Sequence, residues 1–205
     1  MSEFTAGNLT ITKYKDRIEQ SNPIYFAELN DKWLLFFTKE TEVNDEVPID
    51  ILTTSEEIPI LYFYNFEDHG WGYSIILKGQ IISKFDLSYE FEDNLLIEII
   101  EEDFPEADPH EFLYTNSEGE ALREKLKKSE NFNNSIKNLF IDCALDNFKL
   151  FELESDKIDQ LKTIMNYEYI NALESYFNLV DQFKDILQIK EMSWISSDHI
   201  EDLQD

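Results

Sequence analysis

The chain has 205 residues, of which 44 are Asp or Glu and only 17 are Lys or Arg, for a formal charge of −27. Phosphate backbones and anionic lipid surfaces are held through Lys and Arg, so direct nucleic-acid binding and membrane binding are excluded as expectations, and a basic protein partner is favoured. A content of 42% hydrophobic and 14% aromatic residues excludes a charge-expanded disordered chain.

Residues 1–8 carry neither a cationic start nor an apolar run, so no signal peptide is expected there. Residues 24–29 and 32–38 are β-prone runs separated by Asn30 and Asp31, the residues a tight hairpin uses. The acidic and polar stretch 39–57 reads as a loop. Residues 60–66 are almost wholly apolar, Glu67-Asp68-His69-Gly70 is a turn, and residues 71–78 are again strand-like. Gly79 and Gln80 then turn the chain into residues 81–87. Three runs joined by short turns predict an antiparallel meander, and their near-continuous hydrophobicity predicts central strands with at least one face covered by helices.

Past Asp93 the period becomes helical. Residues 94–104 place Leu95, Leu96, Ile99 and Ile100 on one side and Glu98, Glu101 and Glu102 elsewhere, with Pro105 just beyond. Residues 105–115, with Pro109 inside them, read as irregular. Ser117-Glu118-Gly119-Glu120 reads as a capping box opening a helix to about Ser129, supported by Glu124 and Lys128 one turn apart. A further helix is predicted over residues 133–148, with Ile136, Leu139, Phe140 and Cys143 on one face. Tyr169, Leu173, Tyr176, Val180, Phe183 and Leu187 form a heptad stripe that predicts one long amphipathic helix. Ile158, Leu161 and Met165 extend that face, with Asp156 as a cap. The stripe is too short for a coiled coil, so packing on the core is favoured over self-association through residues 169–187. Residues 196–203 predict a short terminal helix, Asp198 capping and Glu201 answering.

These elements define an α+β chain: an antiparallel sheet of about five strands within residues 20–92, packed with a mostly helical part, residues 93–205. No Gly/Pro/Ser-rich linker lies near residue 93, so one compact domain spanning 1–205 is expected. No 18-residue apolar run occurs, so no membrane-spanning helix is expected, and a cytoplasmic protein is.

Catalytic chemistry finds few footholds. Cys143, the single cysteine, excludes an internal disulfide and reads as a buried apolar thiol, because Asp142 and Asp146 flank it where a thiolate needs cations. His69 sits in a turn and His199 in the terminal helix. His110 begins a zinc-protease-like helix whose second histidine is replaced by Tyr114. Five glycines are too few and wrongly spaced for a phosphate-cradling loop, and an EF-hand register from Asp103 puts Pro105 and Ala107 where oxygen ligands belong. No catalytic residue, metal site or cofactor is therefore expected. Two alternatives stand beside that: a metal-dependent enzyme or metal-binding module using His69 or His110 with nearby carboxylates, and a structural or oligomeric component.

One feature exceeds background. From Phe85 to Leu122 there is no Lys or Arg, while thirteen residues are acidic and aromatics are interleaved. Like charges this dense oppose compaction unless something compensates. The expected partner-binding residues are Glu98, Glu101, Glu102, Asp103, Glu106, Asp108 and Glu111, which steer the encounter, with Phe104 and Phe112 as anchors. In size, acidity and lack of catalytic motifs the chain is similar to bacterial immunity proteins that neutralise toxins and to phage-encoded inhibitors of defence enzymes. That resemblance of class implies an acidic, non-enzymatic binding protein that occludes a basic surface, including one that takes nucleic acid.

Overall fold

A computed structural model describes residues 4–115, 117–173 and 175–203. Six strands form one sheet: β1 (Phe4–Ile11), β2 (Tyr25–Glu28), β3 (Trp33–Phe37), β4 (Ile60–Phe66), β5 (Gly70–Leu77) and β6 (Gln80–Ser88). The order is β2-β3-β1-β4-β5-β6, and each neighbouring pair is antiparallel. The α+β class and the meander stand, and the sheet gains a strand outside the expected window. That strand, β1, lies between β3 and β4, where its polar residues find partners far along the chain. Asn8 donates through Nδ2 to the Phe36 carbonyl at 3.2 Å and to Thr41 Oγ1 at 2.9 Å, and Thr10 donates to the Pro59 carbonyl at 2.8 Å. Gly7 allows the close fit: a Cβ there would meet Leu35 Cδ1 at 2.9 Å and Met192 Cε at 3.3 Å.

Both faces of the sheet are covered, which is why its strands are apolar on both sides. The smaller face, including Leu34, Phe36, Ile60 and Tyr62, packs on Ile18 of α1 (Lys15–Gln20) and Ile51 of α2 (Ile49–Thr54). α2 lies in the stretch read as a loop; with only six residues and two β-branched threonines, it shows little helical periodicity. The larger face carries the helical part. Its centre is Phe183, fully buried, with ring centroids 4.9 Å from Trp71, 5.2 Å from Tyr73 and 5.9 Å from Phe148.

The helices after β6 are α3 (Phe91–Asp103), α4 (Pro109–Thr115), α5 (Ser117–Lys127), α6 (Glu130–Asn138), α7 (Ser155–Ile164), α8 (Tyr167–Ala172) and α9 (Phe177–Leu187). Three of them depart from expectation. Residues 105–115 contain a helix, because Pro109 stands at its first position, where the missing N–H costs nothing, and Asp108 Oδ1 accepts from the Glu111 N–H at 2.9 Å. The helix expected over 133–148 stops at Asn138. The chain then covers the outer edge of β6: the Asp142 carbonyl accepts from the Lys84 N–H at 2.9 Å, and Asn147 Nδ2 donates to the Ile82 carbonyl at 2.8 Å. A 3-10 turn over Leu145–Phe151 then buries Phe148 and Phe151.

The third departure is the stripe at 169–187, which does not lie on one helix. Leu173 is extended between α8 and α9. In a straight helix Tyr169 and Gln182 would be about 20 Å apart, whereas the Tyr169 hydroxyl meets Gln182 Oε1 at 2.6 Å. Val180, Phe183 and Leu187 are buried in the core, so self-association through a single helix has no continuous outward stripe to use. Asp156 is not the cap of α7, whose N-cap position is Glu154. Ser117 is already the first residue of α5 rather than its cap, and the residue before it lies outside those described. The terminal helix is a 3-10 turn over Ser197–Leu203.

Candidate binding face

The base-free run leaves β6 and becomes α3. Leu96 and Ile100 hold α3 to the core, and this amphipathic anchoring turns Glu98, Glu101, Glu102 and Asp103 outward. At Phe104 the chain leaves the helix, turns through an Ala107 N–H to Phe104 carbonyl bond of 2.9 Å, and enters α4. Phe112 and Leu113 bury α4 against the core, while His110, Glu111 and Tyr114 face solvent.

The two ends of the run differ in electrostatics. At its start, Arg123 Nη1 bridges Glu92 at 2.7 Å and Asp93 at 2.6 Å, Lys127 reaches Glu92 at 3.2 Å, and the Tyr114 hydroxyl donates to Asp93 Oδ2 at 2.5 Å. Burial alone would raise the Asp93 carboxyl, but the Tyr114 hydroxyl and the Arg123 guanidinium outweigh it and hold the group below its ordinary range. The same contact raises the Tyr114 hydroxyl, and the hydrogen bond to Glu92 raises the Arg123 guanidinium.

The stretch from Glu98 to Glu111 differs. Glu98, Glu101, Glu102, Asp103, Glu106, Asp108 and Glu111 are all exposed, and among the described residues none of them makes an ion pair. Glu101, Glu102 and Asp103 occupy the last turn of α3, which has no basic residue, at the negative end of the helix macrodipole. Acids there cost the fold about 0.3–1 kcal/mol each at low ionic strength.

The expected contact residues lie on α3, on α4 and in the turn between them, and two of them differ from expectation in role. Phe112 is 9% exposed and belongs to the core, so the aromatic surface falls to Phe104, 42% exposed with its ring centroid 4.9 Å from that of Phe112. Asp108 already spends one carboxylate oxygen capping α4. Sequence reasoning missed the balancing of Glu92 and Asp93 by Arg123, 30 and 31 residues away, for which a linear charge count carries no signal.

The remaining candidates lie apart from one another. His69 is in the β4–β5 turn, Nδ1 3.8 Å from Glu90 Oε1, and His110 is exposed in the first turn of α4. Among the described residues no group of three or more His, Cys, Asp or Glu side chains could hold a metal ion. Cys143 is buried just past α6, and that burial pushes its thiol up to about 12. Among the described residues no helix is long and apolar enough to cross a membrane. No family model, curated protein or solved structure matches the chain.

Proposed function

We propose that this chain is a non-enzymatic binding protein whose α3–α4 face occludes a basic surface of another protein. One observation carries the reading: the exposed carboxylates from Glu98 to Glu111 make no ion pair among the described residues, and three of them sit in the last turn of α3, where the helix macrodipole disfavours negative charge. Residues that lower stability without a structural role are what a recognition surface tolerates. Acids in this density steer a cationic partner into encounter, and Phe104 offers an apolar contact within the ring of charge. Basic surfaces on proteins include those that hold phosphate backbones, and on such a surface the chain would act as a decoy for nucleic acid.

The test is capture from the host's lysate with two baits, the natural chain and a variant carrying Glu101→Lys, Glu102→Lys and Asp103→Lys. The natural chain should retain a basic protein in stoichiometric amount at low salt and release it at high salt, and the variant should retain none. Equal retention by both baits would exclude this face.

A further inference from the structure

A groove of about 420 Å³ lies between α3 and α6, within the range of about 300–1,000 Å³ that ligand clefts enclose. Its apolar lining comes from Leu95 and Ile99 of α3 with the buried Leu126 and Phe132, amid a largely polar remainder. Glu98 and Glu102, one turn apart on α3, line one side. The opposite wall is the uncharged polar side of α6, where Asn134 and Asn138 stand exposed.

We propose, building on the reading of the α3–α4 face as a dock for a basic protein, that this groove receives an arginine side chain of that partner. The chain's own cations nearby are turned to other acceptors: Lys127 pairs with Glu92 at 3.2 Å, and Lys137 lies over the Tyr167 ring at 5.0 Å. Glu98 and Glu102 are left without a cation in a place where one side chain can reach both. Arginine fits this lining better than lysine. Its methylenes pack on those apolar side chains, and its weakly hydrated guanidinium enters a half-closed groove at lower desolvation cost than an ammonium. Five N–H donors in one plane can serve two carboxylates and an amide oxygen of the facing wall together, whereas an ammonium offers three.

The experiment is amide-resolved NMR titration at low salt with two capped pentapeptides, one alternating glycine and arginine, the other glycine and lysine. The arginine peptide should give saturable shifts over residues 98–102 and 131–138 and bind at least about threefold more tightly than the lysine peptide. Asn134→Trp, an exposed site, fills the groove without changing charge and should weaken arginine binding about tenfold or more. The pair Glu98→Gln with Glu102→Gln, close in size to the natural side chains, should do the same. Equal binding of the two peptides, binding by Asn134→Trp as tight as by the natural chain, or no shift in the natural chain would each overturn the groove. Should the groove fail while the Glu101, Glu102 and Asp103 reversal still abolishes protein capture, the acidic face stands without it. Loss of neither capture nor peptide binding in that reversal removes both.

Discussion

The start and the end of the base-free run are made of the same residues and do different things. At the start, Glu92 and Asp93 are half-buried and held by Arg123, Lys127 and Tyr114, so two acids become part of the packing among α3, α4 and α5. At the end, seven acids from Glu98 to Glu111 face water without an ion pair among the described residues. Composition is therefore a poor guide to which acids stabilise a fold. The geometry of their partners decides, and in this chain it divides acids held by Arg123, Lys127 and Tyr114 from acids left exposed without an ion pair among the described residues.

The largest expected effect tests the support beneath both ends. Phe183→Ala removes a fully buried ring from the aromatic cluster over the sheet and should cost about 3–5 kcal/mol by urea denaturation. Next comes the balanced end. Arg123→Gln leaves Glu92 and Asp93 partly buried without their shared cation and should cost about 1–3 kcal/mol. It should also flatten the acid limb of the stability curve. The folded Asp93 carboxyl titrates below its unfolded value near about 3.9, so its contribution is present above that pH and lost as pH falls through the lower folded value. A natural-shaped acid limb below about pH 4 in Arg123→Gln would show that the pairing contributes nothing.

The unbalanced end should respond with the opposite sign. Glu101→Lys, Glu102→Lys and Asp103→Lys together should raise stability by about 1–2 kcal/mol at low salt, through the macrodipole and relief of repulsion, and the gain should shrink as salt is added. Destabilisation by these reversals would erase the contrast between the two ends. The smallest effect concerns Cys143. Its buried thiol should stay unreactive towards a disulfide reagent at pH 8 in the native chain and react on unfolding, because burial pushes its ionisation up to about 12. Rapid native labelling would contradict that burial.

Much of the sheet was legible because a sheet covered on both faces leaves long apolar runs, and Asp68, His69 and Gly70 mark a turn between two of them. β1 was not. Ala6, Gly7 and Asn8 are weak strand formers, and the carbonyls that accept from Asn8 and Thr10 lie 28 and 49 residues away. Pro109 looked like a breaker and is a helix start, a distinction that depends on Asp108 folding its carboxylate back onto the Glu111 N–H. Periodicity read residues 169–187 as one helix, since a stripe of apolar residues cannot report that Tyr169 folds back to Gln182. For the binding face, sequence named the acids and put Glu98, Glu101 and Glu102 on a helix, but it read residues 105–115 as irregular and so did not foresee α4. It could not see that Phe112 turns inward, because alternation in a seven-residue helix does not say which side meets the core.

The central claim, that the acids from Glu98 to Glu111 serve recognition, is tested most directly by the association rate with the captured basic protein as a function of ionic strength. For the natural chain the rate should be fast at low salt and fall steeply as salt rises; for the Glu101, Glu102 and Asp103 reversal it should be slow and nearly flat. Rates and salt slopes that coincide for the two chains would contradict the claim and return these acids to the role of a solvated surface.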